Sequence, residues 1–422
     1  FVELGDRVRE KRARLEGGRL QSVSASIPLG RGGFADDLAP RDALVAIPLP
    51  AGVDPGTTEV IEAAGILWVV GESLAAARTA TAKVQGRRTT LATAPPIPLP
   101  PLPDGGVRLA TSWVEPGYLE PDASWCVPGG EPASPLANGG AFGGKEHSPV
   151  KGAARELADR TGRTVRVLFA REDCVRLGPK RPPIAASAIL RGREVTIDGS
   201  TTLGGLHRLA ATYTWPYALD VRTRIVPVDI PGPPDAPDLR GAGWAEQVVL
   251  VEGALDAAGV DRVDLVTDAR AAAALLDCCV LAPGGAAAGA RVALDPETGA
   301  LERVEVRVGA GDVLDETVLR SYALGAVHMA LGWVLTEGLA VDPSTGEVHD
   351  LTIRSFGILR SKDMPRVGIT LLDEPGPPLP LASDAVFAAT ASATWNALAL
   401  MTGARPESFP ALDTPTSRLA RR

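Results

Sequence analysis

Short apolar runs alternate with polar turns along most of this chain, and their spacing predicts a mixture of strands and helices. Ala43–Pro48 (ALVAIP) and Gly65–Val70 (GILWVV) have the length and composition of strands. Glu72–Gln85 (ESLAAARTATAKVQ) is alanine-rich and predicts a helix. A second helix is expected at Lys151–Gly162 (KGAARELADRTG), a strand at Thr164–Ala170 (TVRVLFA) and a helix at Ala245–Ala258. Further on, Arg291–Leu294 and Glu302–Val308 flank Asp295-Pro296-Glu297-Thr298-Gly299. Proline and glycine set a turn there, so the pair predicts a β-hairpin. A similar turn recurs at Asp342-Pro343-Ser344-Thr345-Gly346. Between the two turns, Thr317–Leu339 predicts a long helix interrupted at Gly325 and Gly332. A strand at Val367–Leu372 and a helix at Asp384–Thr402 close the pattern. Strands and hairpins mixed with helices give an α+β fold class. No internal repeat is visible, which argues against a solenoid.

Two proline-dense stretches punctuate this pattern. Thr93–Pro103 (TAPPIPLPPLP) suits neither a sheet interior nor a helix, so an extended linker and a domain boundary are expected there. Pro227–Pro237 (PVDIPGPPDAP) leads into Leu239-Arg240-Gly241-Ala242-Gly243. The resulting partition is a polar lead-in at 1–30, a small domain at 31–105, and a larger unit of two lobes at 106–285 and 286–422.

Composition narrows the function classes. A chain of 422 residues with 45% hydrophobic and 22% charged content is globular and long enough for two or three cores. A net charge of −8 argues against nucleic acid or an anionic membrane as main partner. No run of eighteen apolar residues predicts a membrane span, and the charged start (FVELGDRVREKRARLEGG) has no apolar signal core, so a cytoplasmic location is expected. The four cysteines (Cys126, Cys174, Cys278, Cys279) contain no CxxC spacing, which leaves structural zinc and iron–sulfur ligation without support. The four histidines (His147, His207, His328, His349) are scattered, and no metal ligand set is expected.

The most specific local signal is Gly139-Gly140-Ala141-Phe142-Gly143-Gly144-Lys145-Glu146, four glycines around one phenylalanine, just ahead of the helix at 151–162. Such density lets a backbone approach a ligand closely, because no Cβ intervenes. The string resembles the GGxFGGK(E) loop of the molybdopterin-binding subunits of the xanthine dehydrogenase and aldehyde oxidase family. Other segments resemble that family in the same order. Gly30-Arg31-Gly32-Gly33-Phe34-Ala35-Asp36-Asp37-Leu38 looks like the opening of its small hammerhead domain, and Val69–Gln85 like the end. Leu119-Glu120-Pro121 resembles its x-E-P turn, and TVRVLFAREDC a following strand. Trp215–Arg222 resembles PYxIPNVR, and Arg240-Gly241-Ala242-Gly243-Trp244-Ala245-Glu246 resembles RGAGRPE. TEGLAVDPSTGEV, SFGILRSKDMPRVGITLLDE and GPPLPLASDAVFAA are similar to the family's C-terminal third.

The resemblance implies a hammerhead-like domain at 31–105 and two molybdopterin-binding-like lobes at 106–285 and 286–422. It also implies a loop of Gly140, Phe142, Gly143 and Gly144 beside a molybdenum–molybdopterin cofactor, with Arg240 near the reacting centre. For Phe142, core packing is the plainer reading; for Arg240, a loop ion pair competes evenly with the functional role.

Flavin and iron–sulfur clusters would sit in partner subunits, not in this chain. The chain also departs from the family. Its only glutamines are Gln21, Gln85 and Gln247, so the glutamine that bonds the metal centre and the Gly-Gln-Gly phosphate loop have no counterpart. The family's general base is a glutamate before Pro-Pro-Leu; here Gly376 precedes Pro377-Pro378-Leu379, and only Glu374, two residues away, could replace it.

Three readings stay open. One is a structural or regulatory subunit that no longer holds the cofactor and pairs with a catalytic molybdopterin subunit and with flavin and iron–sulfur subunits. Another is an active oxidoreductase subunit, acting on a heterocycle or aldehyde, whose site is completed by another chain and uses Glu146, Arg240 and Glu374. The third is a pterin cofactor chaperone. Shortening at several separate places favours the first.

Overall fold

The computed structural model describes residues 34–81, 93–117, 121–134, 141–206, 213–236 and 239–421. The polar lead-in at 1–30, the start of the motif at 30–33, Leu119 and Glu120 of the x-E-P turn, Gly139 and Gly140, and the far end of the helix expected to Gln85 lie outside them. The chain divides into two compact units: 1–88 with 116–179 and 348–352, and 89–115 with 180–347 and 353–422.

The first unit is built on a five-stranded sheet. Its strands are β1 (Leu44–Pro48), β2 (Glu59–Ala63), β3 (Ile66–Gly71), β5 (Asp122–Cys126) and β6 (Val165–Phe169), in the order β2-β3-β1-β6-β5. β1 and β6 run parallel and the other pairs antiparallel. Side chains alternate across a strand, so Leu44 and Ala46 join one core and Val45 and Ile47 the other. The first core is covered by helix α2 (Val150–Thr161), through Val150, Ala153, Ala154, Leu157 and Ala158, and contains a Trp68–Phe169 stack at 5.5 Å. The second is covered by α1 (Leu74–Ala80), whose N-cap Ser73 accepts the Ala76 N–H. Gly162, at φ 65°, ends α2 in the left-handed conformation that favours glycine. Helix α3 (Arg171–Leu177) follows β6 directly.

This arrangement corrects the expected boundary at 105. β5, the glycine loop, α2 and β6 belong to the N-terminal unit, because β6 takes the parallel place beside β1 at its centre. The proline-dense segment is not a free linker either: Ile97 is 5% exposed and packs with Ala110, Ala185, Val228 and Ile230 in the second unit. The boundary at 285 falls inside that second unit.

The second unit holds two sheets. One comprises β4 (Val107–Thr111), β7 (Ile184–Arg191), β8 (Glu194–Thr201), β9 (Asp220–Pro227) and the short β14 (Ser408–Phe409), in the order β14-β4-β7-β8-β9. The other comprises β10 (Cys278–Leu281), β11 (Ala287–Leu294), β12 (Leu301–Gly309) and β13 (Arg366–Leu371), in sequence order. The β11–β12 hairpin closes at Asp295, whose Oδ1 accepts the N–H groups of Glu297 and Thr298. Helices α4 (Trp244–Ala257), α6 (Glu316–Leu335) and α7 (Ala382–Thr402) join both sheets in one core. The short helices α5 (Ala269–Ala274) and α8 (Pro415–Ala420) complete the unit.

At the centre Trp333 stacks on Phe387 at 5.2 Å and meets Phe409 edge-on at 4.9 Å. Helix α6 runs unbroken through Gly325 and Gly332, correcting the expected interruptions: Gly332 lies in the buried core, and its missing Cβ leaves room for Glu337. α6 and α7 are long and apolar enough to cross a membrane by length and composition alone, and most of each is buried inside this unit. An all-round apolar helix is what a central core position demands.

Candidate functional site

The glycine loop and the arginine turn lie in different units, so each stands on its own geometry. In the first unit, Ala141–Gly143 makes one tight turn with φ of 49°, 52° and 95° at Ala141, Phe142 and Gly143. A left-handed conformation costs a residue with a Cβ about 1–2 kcal/mol, so the surroundings must hold this turn. The Gly144 N–H donates to the Ala141 carbonyl and the Glu146 N–H to the Gly143 carbonyl, both at 3.1 Å. Gly117 lies so close that a Cβ there would come 2.2 Å from the Ala141 Cβ. Two of the loop's amides are thus engaged within the loop. Phe142 is 50% exposed, which overturns the core-packing expectation for it. The turn joins β5 to α2 and no regular helix passes through it.

In the second unit, Arg240 sits in the turn Leu239–Gly241 ahead of α4, itself left-handed at φ 53°. Its Nη1 lies 2.8 Å from Glu337 Oε1, and the side chains are 0% and 2% exposed. Two further buried pairs stand with it. Arg181 Nη1 is 2.6 Å from Glu246 Oε1, and Lys180 Nζ is 2.9 Å from Glu115 Oε2, none of these four side chains being more than 3% exposed. Arg181 feels Glu246, Arg240 and Glu337, while Glu337 feels Arg240, His328 and Glu115, so the three oppositely charged pairs, balanced in charge among themselves, are coupled.

The network is placed by its elements. Glu246 is the third residue of α4, and its Oε2 accepts the Gly243 N–H at 2.7 Å. Glu337 follows α6, its N–H bonded to the Gly332 carbonyl at 2.7 Å. Lys180 and Arg181 precede β7, with the Arg181 guanidinium 4.0 Å over the Trp333 ring. Burial pushes the Glu246 and Glu337 carboxyls up, while their arginine partners pull them back. Burial also pulls the Arg181 guanidinium down.

Glu374 occupies a third place. Its Oε2 accepts from Arg270 Nε at 2.8 Å, and its side chain is 16% exposed, so it is neither free nor turned to solvent. Arg270 also donates from Nη1 to the Gly285 carbonyl at 2.9 Å. Gly376 donates its N–H to Asp312 Oδ1 at 3.3 Å and accepts the Asp312 N–H at 3.0 Å. The Leu379 N–H then reaches the Ala310 carbonyl at 2.9 Å. The Glu374–Leu379 segment is therefore tied along the end of β12 by ordinary fold contacts.

A second buried polar group lies between α4 and β10. The Tyr217 hydroxyl donates to Glu252 Oε1 at 2.5 Å, and Arg262 Nε donates to Glu252 Oε2 at 3.1 Å. Cys279 donates its N–H to the Tyr217 oxygen at 3.1 Å. Burial pushes the Cys279 thiol up to about 12 and raises Cys278 well above its ordinary value, which suits inert core thiols rather than nucleophiles. Among the described residues no cluster of three or more His, Cys, Asp or Glu has the arrangement of a metal site.

Sequence reasoning singled out Arg240 but missed its companions Glu115, Lys180, Arg181, Glu246 and Glu337. One signal was available: Glu246 stands three residues after Gly243, the spacing at which a glutamate reaches back to cap a helix. The two basic residues before Pro182-Pro183 carry no such mark.

Residues 252–365 match the family model of the molybdopterin cofactor-binding domain. No curated protein matches the chain. Among solved structures, it resembles quinoline 2-oxidoreductase from Pseudomonas putida 86, with a TM-score of 0.65 at 11% identity over 95% of this chain and 97% of that one. It also resembles the aldehyde oxidoreductase of Desulfovibrio gigas, with a TM-score of 0.64 at 11% identity over 92% and 79%. A third is reconstituted CO dehydrogenase from Oligotropha carboxidovorans, at 0.62 and 9% identity over 100% and 99%. In fold, then, the chain resembles these oxidoreductases, and residues 252–365 match the molybdopterin cofactor-binding domain.

Proposed function

We propose that this chain is a non-catalytic structural or regulatory subunit of a molybdenum hydroxylase-type complex, one that keeps the scaffold and no longer holds molybdopterin. The observation that carries this reading is the Arg240–Glu337 pair, sealed in a charge-balanced network at no more than 3% exposure. A phosphate-bearing pterin and its metal oxo groups need uncommitted donors, supplied by cations, backbone amides or side-chain amides. Here Arg240 faces Glu337, and Arg181 faces Glu246. The Gly144 and Glu146 amides bond inside their own loop. Each of these guanidiniums faces a carboxylate, so neither brings an uncompensated positive charge to a phosphate or metal oxo group, although Arg181 Nε and Nη2 have no hydrogen-bond partner among the described residues.

The acid–base side points the same way. A general base must be free to take a proton. Glu374 is held by Arg270, and Gly376, which precedes Pro377-Pro378, has no side chain to act with. A catalytic molybdopterin subunit, together with flavin and iron–sulfur subunits, is the partner set this reading calls for. The native mass of the protein purified from its own cells tests it. The expected result is a hetero-oligomer containing those subunits; a homogeneous 43.7 kDa monomer would remove the proposed role.

A further inference from the structure

The sheet β14-β4-β7-β8-β9 presents a second face that the helices leave uncovered. Leu109 and Ala186 join the helix-packed core, so their neighbours Ala110 and Ala185 point the other way. Over Ala110 and Ala185 lie Ile97 from the first proline-dense segment and Val228 and Ile230 from the second. Beside them is a cavity of about 530 Å³, with Trp113, Leu203, Val228 and Ile230 as its apolar walls and Asp229 and Asp235 as its charged ones. That volume is in the range of small-molecule pockets, which are mainly apolar with a few placed polar groups.

The wall is pre-formed. Prolines fix the backbone of the 227–236 segment, and three close approaches lock it. A Cβ on Gly232 would lie 2.3 Å from the Trp113 ring, and one on Gly346 would lie 2.3 Å from the Gly232 nitrogen. The Lys180 N–H reaches the Pro234 carbonyl at 2.7 Å. Asp235 is oriented by the Thr202 hydroxyl, which donates to its Oδ2. Among the described lining residues none is Lys, Arg or His, so the cavity's only formal charges are the two aspartates. Leu203 is left 71% exposed at the rim, and the Trp113 indole N–H is buried with no hydrogen-bond acceptor among the described residues. A pre-formed, net-negative pocket with apolar walls complements one ligand chemistry.

We propose that this cavity binds a small organic cation, an ammonium group carried on an aromatic or branched aliphatic body. The ammonium would sit between Asp229 and Asp235, and the body would cover Leu203 and Ile230 against the Trp113 floor. This site is independent of the non-catalytic reading and stands or falls separately.

The test is calorimetric titration of the full chain with three probes on one phenylpropyl skeleton: 3-phenylpropylamine, 3-phenylpropanol and 3-phenylpropionate. The amine should bind at least about tenfold more tightly than the carboxylate, with the alcohol between. Asp229→Asn and Asp235→Asn should each weaken the amine about tenfold, and Leu203→Ser should weaken amine and alcohol alike. Asp229 is exposed, so its variant keeps the test open if Asp235→Asn does not fold. The proposal is overturned by equal affinity for amine and carboxylate. Unchanged amine affinity in Asp229→Asn, or no amine binding up to about 10 mM, would also overturn it.

Discussion

Replacing Glu337 by glutamine probes the buried network directly. The substitution keeps side-chain volume and removes one negative charge 2.8 Å from the Arg240 guanidinium, where both side chains are at most 2% exposed. The network then carries a net positive charge with no water to solvate it. Removing one partner of such a pair costs about 3–5 kcal/mol, because the charge left behind is both buried and uncompensated. The contrast is Glu374→Gln, which opens the Arg270–Glu374 pair, 33% and 16% exposed; a partly hydrated pair is worth about 1 kcal/mol or less. Urea unfolding followed by tryptophan fluorescence measures both, with the slope checked so that only the midpoint moves. Glu337→Gln should lose several times more stability than Glu374→Gln. The double change Arg240→Met with Glu337→Leu should recover most of the loss, since an apolar pair leaves no buried charge. If Glu337→Gln costs less than about 1 kcal/mol, Arg240 has another means of neutralisation and the argument from this pair collapses.

Three further outcomes follow from the core and the loop. Cys279 titrates at about 12 when folded against 9.0 for its ordinary value. Below pH 9 both states are protonated; above it the unfolded thiol ionises first, so the fold loses about 1.4 kcal/mol per pH unit from this group. Cys279→Ala should flatten that alkaline loss in a stability-versus-pH series. Gly253→Val should destabilise by about 1–3 kcal/mol, because a Cβ there meets the Trp395 ring at 2.4 Å between α4 and α7; thermal unfolding reads it. Phe142→Ala should shift stability by no more than about 0.5 kcal/mol, since the residue is half exposed; a loss above about 2 kcal/mol would mean that it packs in a core after all.

Much of the fold was legible because local pattern and tertiary role agreed. The strand expected at Thr164–Ala170 is Val165–Phe169, and the helix expected at Asp384–Thr402 is Ala382–Thr402. The Asp295–Gly299 turn closes a hairpin because aspartate, proline and glycine specify it locally. The β7–β8 hairpin was missed: Ile184–Arg191 is apolar without alternation, and alanine and serine carry little strand propensity. The chain's division was misread for a different reason. Parallel pairing of β1 with β6 joins residues more than a hundred positions apart, and no local signal reports it. The ionic network was illegible for the same reason. Glu115, Arg181, Arg240 and Glu337 come from four separated segments, and each alone reads as an ordinary charged residue. Arg240 stood out only through the surrounding Arg-Gly-Ala-Gly motif, and its partner Glu337 emerged only from the packed structure.

The central claim is that the chain keeps a molybdopterin-binding scaffold without holding the cofactor. The most direct measurement is the molybdenum and pterin content of this chain, separated from its partners after purification from cells that make active molybdenum hydroxylases. Elemental analysis and pterin fluorescence after oxidation should both give a level far below one equivalent per chain. One molybdenum and one pterin per chain, retained through separation, would contradict the account.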